Sequence, residues 1–355
     1  MPLTKQDAVN QMMGFFQAKA LTAALALKLF DQLRDRDADA ALALKLFDQL
    51  RDRDADAAHI AARLDCPARS TEQLLIALRA MGYLDQRDGL YHLPAAHRAF
   101  LLSDEPQWLG WLGRHIDTFL YPLWGELKTA VRNDAHQRRT VFGDDRSWFD
   151  ILYQNPDDVA DFQEFLGKFA APFIAGFVRD YDFSQHRAFL DIGSGIGSLP
   201  MAIADAYPGI ALAICELPQA SAFLRDKLTL QGYGERIDVV EGDVISGDLP
   251  IGGYDLIHLG WMLHDYAPET QLTILRNIYR AMPAGGRFIA SETPLNEDKS
   301  GPEFTALLSL NMLVSTDGGI ESSAQEYLDR FRLAGFSNAR IMKIAGPRTL
   351  IVGEK

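Results

Sequence analysis

Only two cysteines, Cys66 and Cys215, occur in 355 residues. They lie far apart, so no disulfide framework is expected, and two free thiols suit a reducing compartment such as the cytoplasm. Long apolar runs are lacking too. No stretch approaches about 18 consecutive apolar residues, so no membrane span is expected. The first residues, MPLTKQDAVNQMMGFF, lack the basic start, apolar stretch and small-residue cleavage site of a secretory signal. Positive charge is scarce: 35 Lys and Arg stand against 48 Asp and Glu, a net charge of −13. That balance argues against nucleic acid as the main partner, because phosphate recognition needs clustered cations. No histidine follows His264, the last of 8, which excludes a metal site built from it and a second histidine downstream.

What is present centres on Phe189–Gly197, FLDIGSGIG. A short apolar run leads into Asp191, glycines follow at 193, 195 and 197, and Leu199–Ala206 reads as a helix. Strand, glycine turn and helix let a backbone pass close to a nucleotide-type ligand and aim amide N–H groups at it. The spacing is GxGxG and lacks the third glycine of the GxGxxG dinucleotide fingerprint. From residue 181 onward strands alternate with helices, the signature of a mainly parallel sheet in an α/β, Rossmann-like domain. Strands are expected at 187–192, 210–215, 236–240, 254–259 and 285–291. Two more, near 338–344 and 348–353, are joined by Ala345-Gly346-Pro347 as an antiparallel hairpin. Three domains are expected: 1–105, a helical connector at 106–180, and 181–355.

In the first domain, Met12, Met13, Phe16, Ala20 and Ala23 recur at helical spacing. Residues 24–40, ALALKLFDQLRDRDADA, are then repeated without change at 41–57. Seventeen residues at about 100° each fall about 100° short of whole turns, so one straight helix cannot bury the same face of both copies. One copy is expected to form the ordinary helix and the other an extra, broken or poorly ordered one. Short helices are expected at 58–64 and 70–81, the second opened by a Ser70/Gln73 capping box, followed by a hairpin around Arg87-Asp88-Gly89. Helices followed by a hairpin form a winged-helix pattern. Residues 1–105 carry 13 basic and 15 acidic side chains, so dimerisation is expected of this domain rather than DNA binding. In the connector, Phe162, Phe165, Phe169 and Phe173 share one helix face. They either pack in the core or line an apolar substrate pocket.

Chemistry gathers at the strand ends. Glu216, 23 residues after Gly193, is placed to accept both hydroxyls of a ribose, and Asp243 to accept from an adenine amino group. His264 lies just past the fourth strand, where a neutral imidazole can take a proton from an acceptor hydroxyl. Glu292, after the fifth strand, and Glu321 could orient it, fixing the tautomer that leaves one ring nitrogen free.

LDIGSGIG, CELPQA, EGDV, WMLHDYAPE, FIASETPL, LNMLVSTDGGIES and EYLDRFRLAGF together resemble the caffeate and hydroxyindole type of small-molecule O-methyltransferase, dependent on S-adenosyl-L-methionine (SAM), with its bacterial natural-product relatives. The resemblance covers nearly the whole chain. It implies a seven-stranded methyltransferase sheet behind a winged-helix-like N-terminal dimerisation domain. Gly193 and Gly195 would approach the cofactor backbone and Asp191 would hold its amino-acid end. Glu216 with Leu217 would take the ribose, Asp243 with Val244 would frame adenine, and Gly260 and Trp261 would line the same site. His264 would be the base with Glu292 and Glu321 beside it, and no metal. Phe165, Phe169, Asn311 and Met312 would touch the acceptor. A homodimer is implied, with Phe15 and Phe16 lent to the partner's pocket. The plant enzymes often carry Lys where Gly260 stands, Arg-Thr where Ser322-Ser323 stand, and a methionine or aromatic at Val244. The expected reaction is methyl transfer to oxygen of a small, aromatic or natural-product acceptor. The alternatives are C-methylation of a 2-oxo acid, N-methylation of a heterocycle, and a SAM-sensing winged-helix regulator.

Overall fold

The computed structural model describes residues 14, 18–19, 55–103, 105, 107–152, 154–250 and 252–355. Phe15, Phe16, most of the tandem copies and the side chain of Phe165 lie outside the described residues. The chain forms two compact units, Met1–Pro122 and Leu123–Lys355, so the aromatic helices expected as one connector are divided between them.

In the first unit, α1 (Ala57–Arg63) and α2 (Ala68–Ala80) precede a hairpin of β1 (Asp85–Arg87) and β2 (Leu90–His92), then α3 (Ala95–Leu101). Ile60, Leu75, Leu78, Leu84, Tyr91 and Leu101 form its core. Asp88 (φ 50°) and Gly89 (φ 80°) both take left-handed backbone, as a two-residue hairpin turn requires. The capping box expected at Ser70 is absent. The helix starts two residues earlier, with Pro67 as its N-cap residue, and the Ser70 and Thr71 hydroxyls donate back to the Pro67 carbonyl. The fixed φ of proline sets the start there. Helix α4 (Gly110–His115) and a π-turn, Ile116–Leu120, follow. Helix α5 (Tyr121–Gly125) crosses the division between the units.

The second unit begins with α6 (Leu127–Asn133), α7 (Arg138–Phe142), α8 (Trp148–Leu152) and the long α9 (Pro156–Asp180). The sheet then alternates with helices: β3 (Ala188–Ile192), α10 (Ser198–Ala206), β4 (Ala211–Glu216), α11 (Pro218–Leu230), β5 (Ile237–Glu241), β6 (Leu256–Gly260), α12 (Pro268–Ala281) and β7 (Arg287–Glu292). Helices α13 (Glu303–Ser315) and α14 (Ala324–Ala334) lead to β8 (Ser337–Lys343) and β9 (Thr349–Glu354). All seven expected strands are present within two residues of their expected ends. Their order is β5-β4-β3-β6-β7-β9-β8. The first five are parallel, and the β8–β9 hairpin closes the edge antiparallel to β7.

Side chains alternate cleanly across the sheet. Leu190, Ile192, Ile257, Leu259 and Phe288 pack against α12 and α14. Phe189, Leu212, Ile214, Ile289 and Val352 pack on the other face against α9, α10 and α11. Strand order reverses between β3 and β6, and in such sheets ligands bind in the crevice at the carboxyl ends of the strands beside that point.

Candidate active site

The crevice starts at the glycine turn. Gly193 (φ 65°), Gly195 (φ 62°) and Gly197 (φ 79°) are all left-handed. A Cβ on Gly193 would also lie 2.0 Å from the Met262 methyl carbon. Helix α9 rests on this loop through another glycine: a Cβ on Gly167 would approach Ile196 to 2.6 Å. Further along, a Cβ on Gly176 would meet the Ala345 carbonyl of the β8–β9 turn at 1.7 Å. The glycine loop and the terminal hairpin therefore both depend on α9.

Glu216 ends β4, half-buried, and its Oε1 accepts the neighbouring Leu217 amide at 3.0 Å. Burial, with the Asp191 charge adding to it, pushes its carboxyl up to about 7. A carboxylate so placed gains from hydroxyl donors. Asp243 follows β5, and its Oδ1 accepts the Ile245 amide at 2.8 Å. Val244 turns its side chain into the core, while its carbonyl accepts Asn277 at 2.8 Å. Glu216 and Asp243 thus follow the carboxyl ends of two neighbouring parallel strands.

Asp191 is placed differently. It is buried, its Oδ1 lies 2.6 Å from Nδ1 of His258, and its Oδ2 accepts the Ser194 hydroxyl at 2.6 Å. Both oxygens are thus engaged inside the protein, and Asp191 pins the glycine loop to β6. His258 continues the chain through Nε2 to Ser291 Oγ at 3.0 Å, with Phe173, Phe177 and Phe189 around the ring. The triplet spans β3, β6 and β7. A Cβ on Gly260 would approach His258 Cε1 to 2.7 Å and Ser291 Oγ to 3.1 Å, so a longer residue at 260 is opposed by this pair.

The residues expected to do chemistry meet in a second cluster. After β6, Trp261 takes φ 54°, and a short 3₁₀ turn, Leu263–Asp265, presents His264. Glu292, fully buried at the end of β7, holds that turn: its Oε1 accepts the Met262 amide at 3.2 Å and the Leu263 amide at 3.0 Å. Its other oxygen lies 3.7 Å from His264 Nδ1. Glu321 makes the tighter contact, with Oε1 2.6 Å from the same Nδ1. Ser309 of α13 accepts the Glu321 amide at 3.2 Å. The remaining ring nitrogen, Nε2, has Asp265 Oδ1 at 3.5 Å. Burial raises all three acids, Glu292 and Asp265 to about 7 and Glu321 to about 8. The second oxygens of Glu292 and Glu321 are buried without a hydrogen-bond partner among the described residues. His264, Glu292 and Glu321 bring their ligand atoms within 4.8 Å of one another.

Among the acceptor residues, Asn311 Oδ1 accepts the Trp124 indole N–H at 2.8 Å, and Met312 is buried on the same helix. Phe169 stacks on Trp261, with ring centres 4.9 Å apart, and on Phe304 at 5.8 Å. His258, Ser291 and Arg348 were not expected from the sequence. A buried histidine inside the apolar run LIHLG was the one available signal for the first.

The O-methyltransferase domain family matches residues 124–337 of this chain. The S-adenosyl-L-methionine-dependent methyl transferase PigF of Serratia sp. (strain ATCC 39006) is 79% identical over 355 residues, 100% of this chain and 97% of the relative. The chain belongs to the O-methyltransferase family. It is an enzyme of the methyltransferase class, and its sheet is the Rossmann-like methyltransferase fold. The 3-hydroxy-5-methyl-1-naphthoate 3-O-methyltransferase of Streptomyces sahachiroi is 33% identical over 334 residues, covering 94% of this chain and 90% of its own length. A solved structure of PigF with S-adenosylhomocysteine superimposes with a TM-score of 0.92 at 95% identity, covering 100% of both chains.

Proposed function

We propose that this methyltransferase moves the methyl group of SAM to a hydroxyl of a small aromatic natural-product acceptor, with His264 as general base. The observation that carries the reading is the 2.6 Å contact between His264 Nδ1 and Glu321. With Glu321 ionised, Nδ1–H donates to it and Nε2 keeps its lone pair for the acceptor proton. Glu292 fixes the backbone of the turn, so the ring is presented in one place.

The residues fit the cofactor. Three left-handed glycines bring the backbone close to a ligand, and Glu216 and Asp243 offer carboxylates to its hydroxyl and amino donors. Leu217, Gly260 and Trp261 flank them, and Asp191 acts through the loop. When bound, the cofactor supplies an already activated methyl on sulfonium, so the protein must align the acceptor and remove one proton. Phe169, Asn311 and Met312 form the acceptor side, and Phe165 is assigned to it from the sequence alone. The hydroxynaphthoate named for the 33% identical relative supports an aromatic hydroxyl as the target.

In the same reading the helix–helix–hairpin segment is a winged-helix-like dimerisation arm, the helical connector at 106–180 serves the acceptor side, and the enzyme acts as a homodimer in the cytoplasm. The net charge of −13 supports small molecules rather than nucleic acid as its partners. Two measurements test this. S-adenosylhomocysteine should bind the full chain with micromolar-scale affinity by titration calorimetry, and absence of binding at millimolar ligand contradicts the cofactor assignment. Mass spectrometry of products from hydroxylated aromatics should place the new methyl on oxygen, and methylation only at carbon or nitrogen contradicts the acceptor assignment.

A further inference from the structure

A buried guanidinium beside the site has no hydrogen-bond or ion-pair partner among the described residues. Arg348 enters β9 at the end of the terminal turn and is 7% exposed. Its central carbon lies 4.8 Å from the Phe173 ring centre and 4.7 Å from that of Trp261. It makes no hydrogen bond or ion pair to any other described residue. Its N–H donors keep only slight contact with solvent and meet no acceptor among the described residues, an arrangement that favours an anion at the guanidinium edge. Burial lowers Arg348 to about 10, while the charges of Glu292 and Asp191 pull it up, so it remains cationic at neutral pH. Neither carboxylate reaches it. Asp191 is engaged by His258 and Ser194, and Glu292 by the amides of the 3₁₀ turn.

The site is otherwise short of cations. The strand-end segments 191–197, 216–217, 243–244, 260–266 and 292–293 contain no Lys or Arg. A cation from the end of β6 is opposed on steric grounds, because a Cβ at Gly260 would crowd His258 and Ser291. SAM carries a carboxylate on its methionine end, and Arg348 lies against Trp261, the residue after Gly260.

We propose that Arg348 binds the methionine carboxylate of the cofactor, so that the cation comes from the terminal hairpin rather than from β6. This rests on the SAM reading above. Its face lies against aromatic rings, and the planar edge presents paired N–H donors that match a carboxylate.

The test compares S-adenosylhomocysteine with its decarboxylated analogue, S-adenosyl-3-thiopropylamine, by calorimetry on the full chain. The wild type should prefer the carboxylate by about 10- to 100-fold, the range for hydrogen bonds to charged groups. In Arg348→Met, and independently in Arg348→Gln, the preference should fall to about threefold or less. Arg348→Lys should restore part of it. A ratio of two ligands is insensitive to partial misfolding, which weakens both alike. An unchanged preference in both variants overturns the proposal. So does unchanged S-adenosylhomocysteine affinity with a raised acceptor KM, which would give Arg348 to the acceptor. If the wild type binds neither ligand, the SAM reading itself fails.

Discussion

Two buried histidines sit near the switch point of one sheet, each 2.6 Å from a carboxylate through Nδ1. By that distance Asp191–His258 and Glu321–His264 are the same device. They differ at the other nitrogen. His258 hands Nε2 to Ser291 at 3.0 Å and is walled in by phenylalanines. His264 stands on a short turn past the strand end, and among the described residues its Nε2 has Asp265 at 3.5 Å. A carboxylate–histidine pair therefore identifies a base only when the second nitrogen is left unspent. Where it is spent, the pair is a strut, here tying β3, β6 and β7 together beneath the glycine loop.

The comparison breaks most visibly at the two histidines. His264→Ala should lower kcat by about 10²- to 10⁴-fold, the usual contribution of a general base, with S-adenosylhomocysteine affinity nearly unchanged by calorimetry. His258→Ala should act on stability instead. Removing one member of a buried pair costs about 3–5 kcal/mol, read as a shifted denaturation midpoint, while the rate per folded molecule falls far less than in His264→Ala. A normal midpoint for His258→Ala would remove the distinction between strut and base.

Glu321→Gln comes next. It leaves the ring without an ionised orienting partner and should lower kcat on the order of 10²-fold, with the midpoint little moved. Its pH profile sharpens the point. Burial holds Glu321 up at about 8, and the protonated acid would push the imidazole proton onto Nε2 and silence the base. The wild-type rate should therefore rise with pH through a limb near 8, and that limb should vanish in Glu321→Gln. Stability runs the other way. Glu292 and Glu321 are raised above their unfolded values, so the native state holds more protons. Their contribution to stability is full below about 4.5 and is lost as pH rises through about 7 to 8. Melting scans from pH 6 to 8.5 should show the midpoint falling while the rate climbs. Ser291→Ala should have the smallest effect, about 1 kcal/mol for one buried hydrogen bond, with kcat almost unchanged.

The fold was largely readable because its signals are local. Apolar runs of three to six residues, 188–190, 210–215 and 288–290, led to the strand ends at Gly193, Glu216 and Glu292, and the Ala345-Gly346-Pro347 turn marked the closing hairpin. The site was readable where residues sit at strand ends: Glu216, Asp243, His264, Glu292. What escaped depends on cross-strand pairing. Asp191 reads as a ligand contact until β6 places His258 opposite it in register and the glycine loop turns Ser194 back onto it. Ser291 reads as strand filler until the neighbouring strand supplies Nε2. Arg348 lies in a turn far along the chain and gains meaning only when β9 inserts between β7 and β8 and carries it to Trp261. Ser70 failed as a cap because Pro67, three residues earlier, had already fixed the start of the helix.

The most direct test is single-turnover methyl transfer at saturating cofactor, comparing wild type, His264→Ala and His258→Ala as folded protein with equal cofactor occupancy. A slow chemical step in His264→Ala alone is the predicted result. Equal chemical rates in His264→Ala and wild type would contradict the assignment of the base.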